Sequence, residues 1–221
     1  MDQLDQLQTG TGVESAEVSK VLRQTYTLLG MCFVFSAAMA AVAGMLNVPH
    51  LGLWNLLPFI GLLWMVEKNK NNSSGIFWTF AFTGWLGFSA GPIISMVASS
   101  AGYEPIIMAL GGTGLIFFGL SGYVLTTRKD LSFMSGFVLV GLLVAFVAGI
   151  ANVFFQIQGL ALAVSSMFLL LSSAMIAIQT SSIIHGGERN YISATVTLFV
   201  SLYNVFMSLL QLIMAFGGGD D

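Results

Sequence analysis

Seven long apolar stretches, separated by short polar connections, constrain the fold of this chain more than any other feature. They cover approximately residues 24–46, 51–66, 76–98, 105–125, 133–153, 160–184 and 192–216. Most reach the ~20 residues with which an α-helix crosses the ~30 Å hydrocarbon core of a bilayer. The second is shorter and contains Asn55 and Pro58, so a kink or a local thinning of the bilayer is expected there. The pattern predicts an all-α integral membrane protein with seven transmembrane helices.

The composition supports a membrane protein and argues against other classes. Hydrophobic residues make up 56% of the chain and charged residues 8%, whereas a soluble domain carries roughly 25% charged residues. The net charge of −3 argues against a nucleic-acid partner. Cys32 is the single cysteine, which excludes a disulfide framework or a cysteine metal cluster. The polar, acidic residues 1–20 do not resemble a cleavable signal peptide.

The distribution of basic residues predicts the orientation of the chain in the membrane. All seven lysines and arginines precede the first stretch or lie in the second, fourth and sixth connections: Lys20, Arg23, Lys68, Lys70, Arg128, Lys129 and Arg189. Because basic residues are enriched in cytoplasmic connections, we expect a cytoplasmic N-terminus and a periplasmic C-terminus. The chain then divides into a polar cytoplasmic arm (1–20), disordered or weakly helical, a seven-helix membrane domain (21–216) and a short periplasmic tail (217–221).

The last apolar stretch carries an uncharged polar stripe. Its members follow each other at steps of four, three, four and three residues, which places them on one face of a helix: Thr197, Ser201, Asn204, Ser208 and Gln211. The remaining circumference is bulky and apolar. Lipid would not tolerate such a stripe, and a soluble amphipathic helix would carry charges on its polar face. We therefore expect this helix to lie at the centre, surrounded by the other six and by the lipid bilayer beyond them.

The sixth stretch carries polar columns at heptad spacing. One consists of Ser165, Ser172 and Gln179, and a second of Ser166, Ser173 and Thr180. Hydroxyl groups in membrane helices often bond to carbonyl groups of their own helix, which favours a structural interpretation. The primary amide of Gln179 needs partners in a dry interior, and we expect Ser201 and Asn204 to supply them across the hairpin.

Small residues line faces of several stretches. Gly84, Gly87 and Gly91 share one face of the third stretch, and Gly141, Ala145 and Gly149 form a similar ladder in the fifth. Such ladders let membrane helices approach closely, so tight packing is the simpler interpretation. The alternative is a hinge at Gly91 and Pro92, where a backbone hydrogen bond is lost.

Two of the basic connections also hold charged or titratable groups of other kinds. The fourth and sixth connections contain Arg128, Lys129, Asp130, His185, Glu188 and Arg189. One interpretation is contact with anionic lipid headgroups. The other is a cytoplasmic network that latches helices 4–5 to helices 6–7, in which a histidine can titrate near neutral pH.

No apolar stretch contains a deeply placed ionisable residue, which argues against a coupled transporter or pump. Zinc-protease, nucleophile-elbow and phosphate-loop motifs are missing from the sequence, so we expect a protein that is not an enzyme. His50 and His185 are predicted on opposite sides of the membrane and cannot share a metal. We expect neither a metal nor another cofactor.

Three strings of the sequence resemble bacterial members of the Bax inhibitor-1 family. They are FAFTGWLGFSAGPI (80–93), MALGGTGLIFFGLSGYVLTTRKDLSFMSG (108–136) and SSIIHGGERNYISATVTLFVSLYNVF (181–206). The resemblance runs from about Lys20 to the tail. It implies seven transmembrane helices with the last one central, in the bacterial inner membrane. It also implies association with, and modulation of, the membrane-anchored ATP-dependent protease FtsH. Other members of the family conduct a pH-sensitive calcium leak that is gated by an aspartate pair on helices 6 and 7.

This chain departs from the family at that acidic pair. The two family positions correspond here to Gln179 and Ser201, and neither side chain is ionisable. A carboxylate pair can share a proton and attract a divalent cation, which an amide and a hydroxyl cannot do. The acid-pair leak mechanism should therefore not be carried over to this chain.

Two functional hypotheses follow from the sequence. The favoured one is a modulator that docks against FtsH and its membrane partners. It would act by binding, as an inhibitor or competing substrate of the protease, which could grasp the arm. The alternative is a pH-influenced cation (calcium) or small-solute leak of the Bax inhibitor-1 type, lined by Thr197, Ser201, Asn204 and Ser208 against the columns of helix 6.

Overall fold

The computed structural model describes the backbone of residues 2–217 and the side chains of residues 16–217. In that range the chain forms seven α-helices and no strand, which confirms the predicted all-α class: α1 Asp2–Met45, α2 Leu56–Asn69, α3 Ser74–Ala101, α4 Glu104–Thr127, α5 Ser135–Phe155, α6 Gln158–Ile184 and α7 Tyr191–Gly217. Short 3₁₀ turns, Gly52–Asn55 and Ser132–Met134, precede α2 and α5.

Six of the described helices are long and apolar enough to cross a membrane. The exception is α2, whose 14 residues give a length of about 21 Å, shorter than a hydrocarbon core. This matches the weakness of the second stretch in the sequence. Helix α1 extends back to Asp2, which favours the helical alternative for the N-terminal arm.

Helix α7 forms the core of the bundle. It packs against α1, α2, α3, α4 and α6, and its buried side chains include Leu198, Phe199, Val205 and Leu210. Helix α5 packs against α6 rather than against α7. The expectation that all six companions enclose the last helix is therefore wrong for α5.

The glycine ladder of α3 is a packing surface against α1. A Cβ atom built on Gly87 would lie 2.1 Å from the carbonyl oxygen of Ser36, and one on Gly91 would lie 2.6 Å from that of Ala40. Because only a hydrogen atom fits there, the two backbones approach more closely than any side chain allows. The packing interpretation is confirmed, and α3 stays helical through Pro92.

One end of the bundle gathers the basic connections. Asn190 donates a hydrogen bond to the carbonyl of Lys70, Ser181 donates one to the carbonyl of Lys129, and Thr195 donates one to the carbonyl of Thr25. These contacts bring the start of α7, the α2–α3 and α4–α5 connections and α1 together. We call this end of the bundle the basic end.

Candidate functional site between the last two helices

A polar recess opens between α5, α6 and α7 at the end of the bundle opposite the basic end. Its volume is about 240 Å³, and it is lined by Gly149, Asn152, Ala161, Val164, Ser165, Phe168, Asn204, Met207, Ser208 and Gln211. The hydroxyl of Ser165 donates a 2.6 Å hydrogen bond to Oε1 of Gln211, which ties α6 to α7 at the recess. The first polar column of α6 and the stripe of α7 thus meet at Ser165 and Gln211, at the end of the bundle opposite the predicted contact of Gln179.

The polar stripe of α7 divides into two parts. Asn204, Ser208 and Gln211 line the recess, whereas Thr197 and Ser201 do not. The hydroxyl of Ser201 donates to the carbonyl of Thr197 within the same helix, at 2.8 Å. The stripe therefore does not form one continuous lining. Its C-terminal part faces the recess, and Ser201 forms a hydrogen bond within α7 instead.

The α6 column continues beyond the recess as buried polar atoms without partners. The Ser172 side chain is 1% exposed and that of Gln179 is 9% exposed. Ser172 Oγ and Gln179 Nε2 have no hydrogen-bond partner among the described residues. The expectation that Ser201 and Asn204 satisfy the Gln179 amide is therefore wrong, because Ser201 bonds to its own helix instead.

The second column behaves as the structural interpretation predicted. Ser166, Ser173 and Thr180 each donate to a carbonyl four residues earlier, at 2.7–2.9 Å. Thr180 Oγ1 also lies 3.3 Å from the hydroxyl of Ser121 on α4. These groups are satisfied inside the bundle and need no ligand.

The chemistry that the recess can support is limited by its neutral lining. Amides and hydroxyls can bind several water molecules or a small neutral solute in a space of this size. These groups do not ionise at ordinary pH, and they offer no carboxylate to a divalent cation. Among residues 16–217, no group of three or more His, Cys, Asp or Glu side chains lies close enough to hold a metal.

Sequence reasoning missed the contribution of α5 to the recess. Asn152 lines it and also accepts a hydrogen bond from the backbone N–H of Ile157, at 3.0 Å, across the α5–α6 turn. Gln156 in this turn has a φ of +54°. The position of Asn152, one turn before the end of a helix, could have indicated its contact with the α5–α6 turn, because asparagine side chains often form hydrogen bonds that close such turns.

A latch at the basic end joins the α4–α5 connection to α6. The Ser181 hydroxyl accepts a bond from Leu131 N–H and donates one to the carbonyl of Lys129, each at 3.0 Å. The His185 ring has Nε2 3.0 Å from the carbonyl oxygen of Arg128 and Nδ1 2.8 Å from that of Ser181. Both ring nitrogens thus face acceptors.

The predicted network of charged groups takes a different form. Arg128 and Lys129 contribute backbone carbonyls to the latch, and no ion pair joins the six predicted charged residues in the described part of the chain. Arg189 Nε donates to the Gly186 carbonyl, and Glu188 accepts from Asn190 N–H. The two connections are joined by neutral hydrogen bonds, while the charged side chains stabilise local turns or face solvent.

Asp130 closes the turn that leads into α5. Its Oδ1 accepts a hydrogen bond from the backbone N–H of Ser132 at 2.9 Å, and this bond holds the pKa of the Asp130 carboxyl below its ordinary value. A lowered pKa means that the ionised form is the one bound in the fold. The contribution of this bond is present at neutral pH and is lost as the pH falls through the acidic range.

Asn190 is a further residue that sequence reasoning did not single out. Its Oδ1 accepts from the N–H groups of Ile192 and Ser193 at the start of α7, and its Nδ2 donates to Lys70 O and Asn71 Oδ1. An asparagine just before a long apolar stretch is the signal for a helix N-cap. Its contacts with the α2–α3 connection carry no signal in the local sequence.

Comparisons with known proteins place the chain in a family. The family model described as "Inhibitor of apoptosis-promoting Bax1" matches residues 18–218. The chain is 49% identical over 202 residues to "Modulator of FtsH protease YccA" of Escherichia coli K12, covering 91% of this chain and 92% of that protein. It is also 50% identical over 210 residues to an uncharacterized protein of Pseudomonas aeruginosa, covering 94% of each.

A third relative bears on localisation. The chain is 49% identical over 202 residues to "Inner membrane protein YccA" of Escherichia coli O6:H1, covering 91% of this chain and 92% of the relative. With six helices able to cross a bilayer, the protein is a multi-pass protein of the inner membrane. The match to the family model extends over nearly the whole chain, which therefore belongs to the Bax inhibitor-1 family.

Proposed function

We propose that this protein modulates a membrane-anchored ATP-dependent protease of the FtsH type, by binding and not by catalysis. The observation that carries the proposal is the 49% identity over 91% of the chain to a relative named a modulator of that protease. The short connections between the helices support it, because they leave the membrane surface, the basic end and the arm as the places where a partner can dock.

The proposed orientation places the basic end in the cytoplasm and the C-terminus in the periplasm, with all seven helices inserted in the membrane. The support is that every lysine and arginine lies within residues 20–23, 68–70, 128–129 or 189, all at the basic end. The short α2 would cross where the bilayer is locally thinned. In this orientation α7 is the central helix, residues 21–216 form the membrane domain and residues 217–221 are a periplasmic tail.

Residues 1–20 are the segment that we propose the protease ring grasps for degradation, whereas docking of the protease takes place within the membrane. The helix of this arm runs ahead of the membrane domain, and Gly10 and Gly12 lower its helix propensity. Isolated helices of this length are marginal in water, so the arm can unwind at small cost. Unwound, ~20 residues reach up to ~70 Å, far enough for a cytoplasmic ring to grasp. The protein would then be a competing substrate as well as an inhibitor.

Removal of residues 2–15 should separate these two roles. We expect the full-length protein to co-purify with the protease after detergent extraction and to be degraded slowly in the presence of ATP. The truncated protein should still co-purify but should resist degradation. A variant with the same 14 residues in scrambled order is the matched control and should behave as the full-length protein does. Absence of co-purification in every form would refute the proposal.

A second candidate function is a leak through the polar seam of α6 and α7. The recess favours it, because a space of about 240 Å³ with Asn204, Ser208 and Gln211 on its wall opens beside the central helix. Between the recess and the basic end, Ser172, Gln179 and Ser201 are buried, so a path would have to open there. The neutral lining suits weakly selective passage of small solutes or cations.

Flux measurements in proteoliposomes distinguish the two functions. For a protease modulator, we expect calcium and proton flux equal to that of empty vesicles at pH 6 and pH 8. For a leak, flux should exceed that level and should be abolished by Ser208→Leu, which fills the recess. Gly119→Leu is the control, because nothing lies within 4 Å of a Cβ at this position on α4. Flux that Ser208→Leu leaves unchanged would rule out the recess as its route.

A further inference from the structure

A long groove runs along the outside of the bundle between α1 and α4. Its volume is about 1160 Å³, and α3 and α7 form its floor. Small residues open its two walls, among them Gly30, Ala37 and Gly44 on α1 and Gly114 and Gly122 on α4. The groove extends from Tyr26 and Leu125 near the basic end to Tyr103 at the other end, so it spans most of the membrane domain.

The groove is predominantly apolar, with a few serine, threonine and tyrosine side chains along its walls. Phe33, Phe117, Phe199 and Phe206 contribute aromatic surface to it. An occupant of this surface therefore has to be largely apolar as well.

Cations stand one turn beyond both walls at the basic end. Arg23 precedes Gly30 by one heptad and therefore continues the groove-facing side of α1. Arg128 is the residue that follows α4, three positions after the groove residue Leu125. Both residues are exposed, and neither guanidinium forms an ion pair within residues 16–217. The mouth of an apolar groove is thus flanked by two free positive charges.

We propose that this groove binds an anionic phospholipid, with its acyl chains along α1 and α4 and its phosphate between Arg23 and Arg128. Guanidinium groups bind phosphate oxygens with two parallel hydrogen bonds, which gives the site its preference for this headgroup. The ester region of the lipid then lies about one helical turn inside the two arginines, at the depth of Tyr26.

The shape and charge of the groove favour a lipid over a transmembrane helix of another protein. Flexible hydrocarbon chains can follow its irregular walls, which consist of both small and aromatic side chains, more closely than a rigid helix can. A partner helix would also leave the two arginines without counter-charges unless it carried acidic residues at the same level.

Native mass spectrometry of the detergent-purified protein tests the proposal. The protein is titrated with phosphatidylglycerol and with phosphatidylcholine that carries identical acyl chains. We expect preferential retention of phosphatidylglycerol. The double variant Arg23→Gln/Arg128→Gln should weaken phosphatidylglycerol binding about thirtyfold and leave phosphatidylcholine binding unchanged. Equal retention of the two lipids by the wild type, or a preference that survives the double variant, would overturn the proposal.

Filling the groove should remove both lipids. Gly30→Leu/Gly114→Leu places two side chains in the groove at positions where a Cβ meets nothing within 4 Å. Gly119→Leu is the matched control on α4, outside the groove, and should retain both lipids. Thermal melting of each variant verifies that it is folded. Lipid retention equal to that of the control would refute the assignment.

A photo-crosslinking amino acid at position 114 gives an answer that does not depend on the filled variant. In native membranes we expect a lipid adduct on the wild-type groove. An adduct with a protein chain would show that the groove holds a partner helix and would overturn the proposal in favour of that occupant.

Discussion

Gly87→Ala should abolish most of the folded, monodisperse protein, although it adds a single methyl group. The new Cβ would lie 2.1 Å from the carbonyl oxygen of Ser36 and 2.5 Å from its hydroxyl. The carbonyl of Ser36 belongs to the backbone of α1, so it can move away only if α1 as a whole shifts relative to α3. Overpacking usually costs ~1–3 kcal/mol, and contact with rigid backbone places this change at the upper end or beyond. The ~1 kcal/mol gained in helix propensity does not offset it.

Gly119→Ala is the control for this prediction. Gly119 lies in the middle of α4, and a Cβ there meets nothing within 4 Å. The alanine variant should melt at the wild-type temperature or a few degrees above it, because it gains helix propensity without a clash. Fluorescence-detected size exclusion and thermal melting in detergent measure both variants. If the Gly87→Ala and Gly119→Ala variants had the same melting temperature, the close approach of α1 and α3 would not be a determinant of stability.

The helices themselves could be predicted because lipid imposes a simple rule on the backbone. Every buried N–H and C=O group needs an internal partner, so an apolar stretch of sufficient length has to be helical. The predicted stretch 105–125 corresponds to Glu104–Thr127, and 160–184 corresponds to Gln158–Ile184. The exception is the first helix, which begins at Asp2 and not near residue 24. The apolar pattern locates the segment that crosses the membrane, but it does not indicate how far the helix continues beyond that segment.

The candidate site could be predicted only in part, because a helical face does not specify its neighbour. The stripe of α7 and the column of α6 were evident from their spacing, and Ser165 and Gln211 do meet. The spacing could not tell that Ser201 would bond to Thr197 and leave the Gln179 amide unpaired. Hydroxyls can always turn to their own helix, so their partners depend on packing distances that no sequence pattern encodes.

Interhelical gaps were beyond sequence reasoning for a related reason. The groove exists because α1 packs against α3 while α4 packs against α6 and α7, so that the two outer walls stay apart. Small residues such as Gly30 and Gly114 line the groove, whereas the small surface at Gly91 is closed by direct contact with α1. The same local pattern therefore produces a closed contact in one place and an open groove in another.

Asn190→Ala should be the most damaging change at the basic end, because one side chain serves two structures. It removes the N-cap of α7, which is formed by bonds from Ile192 N–H at 3.0 Å and Ser193 N–H at 3.1 Å. It also removes the bonds to Lys70 O at 3.1 Å and Asn71 Oδ1 at 2.8 Å. The lost cap costs ~1 kcal/mol and the two lost bonds about as much each, so we expect a destabilisation of roughly 3 kcal/mol.

Asn190→Asp separates the two contributions of this side chain. The carboxylate still accepts from the first N–H groups of α7 and interacts favourably with its helix dipole, but it cannot donate to the α2–α3 connection. It also brings a negative charge to the Lys70 carbonyl and the Asn71 oxygen, which accept hydrogen bonds from Nδ2 in the wild type. The melting temperature should therefore fall in the order wild type, Asn190→Asp, Asn190→Ala. Hydrogen exchange in residues 70–74 should rise in both variants.

The exposed Asn72 supplies the control, since its replacement by alanine removes an amide from the same connection without a described side-chain contact. Asn72→Ala should leave melting and exchange unchanged. If Asn190→Ala behaved like Asn72→Ala, the start of α7 would be held by burial alone. If Asn190→Asp fully matched the wild type, the cap alone would account for the role of this residue. In the intermediate case that we expect, the central helix is anchored at the basic end through the short α2, which is the helix least able to hold its own position in the membrane.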